Sequence, residues 1–191
     1  PIGSRGLGDV YKRQDVCLLV IDATQGFESQ DLSILSVIEK NHKGLVIVVN
    51  KWDLVEKTTS STEEFRTKIL SKTRPFQDIP VVFTSAKTKQ RVLKSIEEAM
   101  AVFERRSGRI STSKLNDEIL PVVKHMPPPI HKGKEVKIKY ITQLPTHYPQ
   151  FVFFCNLPQY VKEPYYRYVE NKMRSKYEFC GVPIEIYFRK K

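Results

Sequence analysis

Three short runs rich in β-branched residues, at positions 16–21, 45–49 and 80–83, contain no polar alternation. A run of that kind predicts a strand covered on both faces. Each is followed by apolar residues three or four apart: Leu32, Leu35 and Ile38 after the first, Phe65 and Ile69 after the second, and Val92, Ile96, Ala99 and Phe103 after the third. That spacing gives one apolar face to each of three helices. Ser60 and Ser61 each precede a glutamate by three residues, Glu63 and Glu64, which predicts a capping box at the start of the second helix. Strand alternating with helix three times confines this half of the chain to α/β architecture, with a parallel sheet and right-handed crossovers.

The pattern changes at residues 107–113, whose Ser, Gly and Thr content suits a linker. Beyond it, Leu115, Ile119 and Val122 or Val123 mark a helix from about Lys114 that Pro121 should kink or cut. Residues 127–129 are all proline and force an extended connection. Residues 136–140 alternate strictly and predict a strand with one wet face; residues 150–156 and 184–188 predict two more. Pro164 suits the first turn of a helix bearing Tyr165, Val169 and Met173, with Gly181 beyond its end. The expected organisation is an α/β domain over 15–106, a linker over 107–113 and a small αββαβ domain of α+β type over 114–191. Residues 1–14 fit neither pattern and are expected to be a non-native, artefactual segment joined at Asp15.

With 40% hydrophobic and 28% charged residues the chain has enough apolar surface for a core, so disorder throughout is excluded. No apolar run approaches the ~20 residues that span a bilayer. Cys17, Cys155 and Cys180 are odd in number and far apart, which argues against disulfides and zinc and for a reducing, cytoplasmic setting. Cys17 and Cys155 fall inside predicted strands and read as small buried hydrophobes. His42, His125, His131 and His147 have no metal-ligand spacing, and no metal site is expected. The tyrosines at 160, 165, 166 and 168 have helical spacing, which favours core packing over base stacking. The net charge of +11 is uneven, with 14 Lys+Arg against 7 Asp+Glu over residues 110–191 and 18 against 14 before them. A basic C-terminal part suits a polyanion such as RNA.

Polar clusters follow the three strands: Asp22-Ala23-Thr24, Asn50-Lys51-Trp52-Asp53 and Thr84-Ser85-Ala86-Lys87. A parallel sheet gathers such clusters on its carboxyl edge, where α/β proteins bind ligands. Asn-Lys-x-Asp suits a guanine reader, because the Asp53 carboxylate can accept from both N1–H and the 2-amino group, whereas adenine offers an acceptor at N1. A backbone N–H near Ala86 can donate to guanine O6, and the stems of Lys51 and Lys87 can cover the two ring faces. Asn50 is expected to brace the neighbouring loop. The guanine-site residues are thus Asn50, Lys51, Asp53, Ser85, Ala86 and Lys87.

These two motifs resemble the fourth and fifth guanine-specificity motifs of translation-factor-type GTPases. More closely, residues 15–41, the NKWDLV at 50–55, the SAKTKQRV at 85–92 and the STSKLN at 111–116 resemble the second GTPase domain of the Der (EngA) family, tandem GTPases of bacterial ribosome assembly. FVFFCNLP at 151–158, YRYVENKMR at 166–174 and GVPIEIYFRKK at 181–191 resemble that family's KH-like C-terminal domain. The resemblance implies the C-terminal half of a P-loop-type GTPase domain followed by a KH-like domain. It further implies GTP as ligand with Mg2+ in the complete protein, a monomer, and ribosomal RNA or the large-subunit precursor as partner. For RNA the lysines and arginines of the second domain are expected to serve: Lys137, Lys139, Lys172, Arg174, Lys176, Arg189, Lys190 and Lys191.

The chain contains no P-loop, since its Gly-Lys pair, Gly133-Lys134, is followed by Glu135. Hydrolysis depends on that loop and on the magnesium it helps to hold, so this chain alone is expected to be inactive, with no catalytic residue of its own. A non-catalytic RNA- or ribosome-binding module, or a piece of an Era-type GTPase, are the alternatives. Gly133 and Gly181 are the only glycines of the second domain, so it lacks the Gly-x-x-Gly loop with which KH domains clamp single strands. That argues against sequence-specific RNA reading and against the Era type.

Overall fold

The computed structural model describes residues 14–56, 61–131 and 133–190. The expectations for residues 1–13, for the Ser60–Glu63 capping pair and for Lys191 lie outside them. The chain forms two compact units, one ending at Arg106 and taking in Cys180–Pro183, the other made of Ser107–Phe179 and Ile184–Lys191.

In the first unit, β1 (Val16–Asp22), β2 (Gly44–Asn50) and β3 (Val81–Phe83) form a parallel sheet in that order, with α1 (Ser29–Lys40), α2 (Ser61–Lys72) and α3 (Val92–Ser107) following the strands. The α/β expectation holds. The central strand β2 is buried at every position from Gly44 to Val49, as a non-alternating apolar run requires. Leu35 and Ile38 of α1 and Ile69 of α2 pack into a core with Leu19, Ile21, Ile47 and Val49. Trp52 and Phe83 close it with ring centroids 4.5 Å apart. A side chain of this class contributes about 1.5–3 kcal/mol when fully buried.

Two expectations of burial fail. β1 alternates instead of being covered on both faces: Cys17, Leu19 and Ile21 are buried while Leu18 and Val20 are 42% and 57% exposed. On α3 the apolar stripe of Val92, Ile96 and Phe103 faces out, and the buried residues are Ser95, Val102 and Arg106. The cause is shared. Val16, on the same face of β1 as Leu18 and Val20, lines one open groove with Ile96, Ala99, Met100 and Phe103 of α3, and among the described residues no element covers that groove.

In the second unit the helix expected from about Lys114 is cut at Pro121, as anticipated, into α4 (Thr112–Glu118) and α5 (Leu120–His125). Pro121 falls in the first turn of α5, and Leu115, Ile119 and Val123 are buried. The strands are β4 (Ile138–Gln143), β5 (Gln150–Cys155) and β6 (Glu185–Lys190), ordered β4-β5-β6, with β4 antiparallel and β6 parallel to β5. β4 begins two residues later than the alternation suggested, and its register slips between Ile138 and Tyr140. α6 (Glu163–Lys176) starts with Pro164 in its first turn and buries Tyr165, Val169 and Met173 as expected. The Tyr165 hydroxyl donates to the Met126 carbonyl at 2.9 Å, which makes this tyrosine a core residue. Cys17 and Cys155 are both buried.

Candidate functional site

The parallel register pairs Asp22 with Asn50 and Val49 with Phe83, so three strand ends share one edge. After β2, Lys51 adopts the left-handed conformation at φ 60° and starts a 3-10 turn, Trp52–Leu54. The turn is held at both ends. Leu54 N–H donates to Lys51 O at 3.0 Å, and Trp52 N–H donates to Thr84 O at 3.0 Å. Burial of the Trp52 ring anchors the turn in the core, leaving Lys51 exposed and Asp53 half-buried beside it.

After β3 the chain folds into a tight loop closed by paired hydrogen bonds between Ser85 and Gln90, at 3.1 and 3.0 Å. Asn50 Oδ1 accepts from Ala86 N–H at 3.0 Å, so Asn50 is the brace the sequence suggested. Thr88 N–H donates to Ser85 Oγ at 3.2 Å and Lys89 N–H to Ala86 O at 3.4 Å. The Ala86 amide is therefore engaged, and the backbone N–H expected near Ala86 to serve a base oxygen falls to a neighbour in the same loop. Among the described residues the Lys87 N–H of this loop has no acceptor.

One residue was not singled out for the site from sequence. Asp22 Oδ2 forms an ion pair with Lys51 Nζ at 2.6 Å. Its Oδ1 accepts from the Thr24 N–H at 2.9 Å and the Thr24 hydroxyl at 2.7 Å. The hydrogen bond from Lys51, followed by those from Thr24, lowers the Asp22 carboxyl to about 2. Its sequence signal was its place at a strand end. The arrangement is a polar rim carrying a half-buried carboxylate, two exposed lysines and an unused backbone amide, which can accept and donate to the edge of a planar base.

In the second unit the predicted cations divide. Ile138 pairs across the sheet with Cys155 and Cys155 with Lys190, so Lys137 and Lys139 lie at the same end of the sheet as Arg189 and Lys190. All four are exposed. Lys137 sits 3.3 Å from Glu135, and the Arg189 guanidinium lies over the Tyr187 ring at 5.3 Å. Lys172 and Lys176 belong to the last turns of α6, which runs back toward the start of β6 and so away from that end. Arg174 is half-buried, donating to Glu170 at 3.0 Å and to the Phe179 carbonyl at 3.2 Å, which makes it part of the scaffold.

Among the described residues no group of three His, Cys, Asp or Glu side chains is placed to hold a metal ion. None of their helices is long and apolar enough to cross a membrane.

Residues 8–127 match the elongation factor Tu GTP binding domain, and residues 109–189 match the KH-domain-like C-terminal domain of EngA bacterial GTPase enzymes. GTPase Der of Flavobacterium johnsoniae is 62% identical over 93% of this chain and 40% of its own length. GTPase Der of Bacteroides thetaiotaomicron is 59% identical over 93% of this chain and 41% of its own. A solved structure of Era in complex with MgGDPNP and nucleotides 1506-1542 of 16S ribosomal RNA is 20% identical, with a TM-score of 0.44 over 96% of this chain and 67% of that one. The chain spans about two fifths of the length of the curated relatives it matches. It belongs to the GTP-binding domain family of the elongation factor Tu type, and it joins the C-terminal part of such a domain to the KH-like domain of the EngA (Der) GTPases.

Proposed function

We propose that this chain carries the base-reading half of a guanine-nucleotide site and the RNA-facing domain of a cytoplasmic GTPase that acts in assembly of the large ribosomal subunit. The observation that carries the reading is the joining of the Asn50-Lys51-x-Asp53 turn to the Ser85-Ala86-Lys87 loop through the Asn50–Ala86 and Trp52–Thr84 hydrogen bonds. Asp53 accepts from guanine N1–H and the 2-amino group, the unused Lys87 amide donates to O6, and the stems of Lys51 and Lys87 flank the ring. Asn50, Ser85 and Ala86 hold the loops. The guanine end of GTP fits these residues. The phosphates and Mg2+ do not, since the sequence has no Gly-x-x-x-x-Gly-Lys-Ser/Thr loop, and no step of hydrolysis is assigned to this chain.

Hydrogen bonds to a charged group contribute about 1.5–3 kcal/mol each, against an association cost of about 4–15 kcal/mol. The chain by itself should therefore bind GTP very weakly. In a full-length protein carrying it, Asp53→Asn should move the preference from GTP to XTP, because the asparagine N–H₂ meets the xanthine 2-carbonyl while its oxygen still meets N1–H. Competition between GTP and XTP reads this directly, and an unchanged preference for GTP would remove Asp53 from the base site.

A second reading, RNA binding by the KH-like unit, is favoured by the exposed cations that the sheet register gathers at one end: Lys137, Lys139, Arg189 and Lys190, with Lys191 next in sequence. Lys172 and Lys176 form a separate basic stretch. Contacts of this kind are made to phosphates, so affinity for ribosomal RNA should fall steeply with salt and depend little on sequence. Filter binding that survives high salt would point to base stacking instead.

A further inference from the structure

We infer that Asp22 is a positioning residue of the guanine site: its carboxylate fixes the Lys51 ammonium so that the lysine stem is held across the seat of the base. The inference rests on the guanine-site reading above and adds to it a residue from the first strand, outside both base-reading motifs. Lys51 has a side chain 54% exposed, and an exposed lysine ordinarily samples many rotamers. Here its Nζ lies 2.6 Å from Asp22 Oδ2. The carboxylate is itself held, because its other oxygen receives the Thr24 N–H and hydroxyl at 2.9 and 2.7 Å. The main chain around it is fixed by the Gly26 N–H, which donates to the Asp22 carbonyl at 2.9 Å. At the other end of the lysine, the left-handed backbone at φ 60° sets where the side chain departs.

Both ends of the Lys51 side chain are thus tied before any ligand arrives, one by its own main chain and the other by Asp22. Rotamer freedom that is already gone is not lost again on binding, which is the benefit of preorganisation. Asp22 needs no contact with the nucleotide to act in this way. Its low-lying carboxyl keeps it ionised well below neutral pH, so the tie persists across the physiological range.

The test uses a full-length protein carrying this chain, with GDP affinity measured for Asp22→Asn, Asp22→Glu, Lys51→Met and the Asp22→Asn/Lys51→Met pair. Asp22→Asn is isosteric and keeps an oxygen for Thr24, so the fold should hold. It should weaken GDP binding about 5–10-fold, mainly through faster release, without changing the preference between guanine and xanthine nucleotides. Asp22→Glu should recover part of the loss. The double variant should bind no more weakly than Lys51→Met alone, since Asp22 acts only through that lysine. Wild-type affinity in Asp22→Asn, or additive losses in the double variant, would overturn the inference. Asp53→Asn measured in parallel separates the two ideas. A shift to xanthine there with no effect at Asp22 sinks the positioning role alone, whereas no shift at Asp53 sinks the base site on which it rests.

Discussion

Asn50 at the end of β2 accepts a 3.0 Å hydrogen bond from the Ala86 N–H, so the side chain of one strand end holds the main chain that follows the next. Asn50→Ala should leave the Ala86 amide to water and loosen the loop closed by Ser85 and Gln90. Ala86 is exposed, so the expected loss is that of an ordinary hydrogen bond, about 0.5–1.5 kcal/mol in urea denaturation of this chain. Asn50→Asp keeps an acceptor and should lose less. Equal losses in both variants would show that the brace depends on the asparagine N–H₂ rather than on the bond to Ala86.

Gly181 has φ 76°, and its N–H donates to the Asp78 carbonyl at 2.7 Å while its carbonyl accepts from Leu45 N–H at 2.8 Å. An added Cβ would stand 2.6 Å from Val102 Cγ2 and 2.7 Å from the Leu45 carbonyl, and the latter belongs to the central strand and cannot retreat. Gly181→Ala should therefore combine left-handed strain with a clash, lowering stability by about 2–4 kcal/mol. Gly26 separates the two effects. It has φ 82° but nothing within 4 Å of an added Cβ, so Gly26→Ala should show the conformational cost alone, about 1–2 kcal/mol. Denaturation curves that fall equally for both variants would mean that the close approach at Gly181 relaxes.

The strands were legible because burial on both faces writes itself as unbroken apolar runs, and β2 is the clear case. The two base-reading loops were legible because both lie in continuous sequence at strand ends. What sequence hid depends on the third dimension. The Asp22–Lys51 pair requires the left-handed turn at Lys51 to bring the lysine back toward the first strand, and no local pattern encodes that. The outward face of α3 was hidden for another reason. Val92, Ile96 and Phe103 have the periodicity of a core stripe, but periodicity records what a helix offers and not what arrives to cover it. Arg174 illustrates the limit for charges, since only the fold shows that Glu170 and the Phe179 carbonyl hold it.

The exposed apolar face carries its own prediction. Leu18 and Val20 on β1 and Ile96, Met100 and Phe103 on α3 are between 42% and 61% exposed, and Val16, Ile96, Ala99, Met100 and Phe103 line one open groove. Apolar patches of this kind favour association, and β1 also presents an edge that pairs with no strand among the described residues. The sequence led to the expectation of a monomer. This chain on its own should instead self-associate as its concentration rises, and Val20→Thr with Met100→Lys should shift it toward monomer in sedimentation velocity. A wild-type chain that stays monomeric across the series would mean that the face is covered in solution.

Alkaline pH should weaken the second unit through a cluster at the start of β5 and β6. The hydroxyls of Tyr148 and Tyr187 donate to Glu185 Oε2 at 2.8 and 2.6 Å, and Gln150 Nε2 donates to the same oxygen at 2.7 Å. Burial, followed by the hydrogen bond to Glu185, pushes the Tyr148 phenol up to about 12. The hydrogen bond to Glu185 raises Tyr187 as well. A phenol whose value is raised by folding stabilises the fold fully below its unfolded value of about 10. Above that point the unfolded chain binds fewer protons than the folded one, so stability falls as pH rises through about 12 for Tyr148. Tyr148→Phe removes the titrating group and should flatten this alkaline decline, while lowering stability at neutral pH by the loss of a hydrogen bond to a carboxylate. Denaturation midpoints measured from neutral to strongly alkaline pH, with tyrosinate absorbance followed in parallel, read both effects. A variant whose decline is as steep as that of the unaltered chain would assign the alkaline loss to other phenols, such as Tyr165 and Tyr177, which burial raises in the same direction.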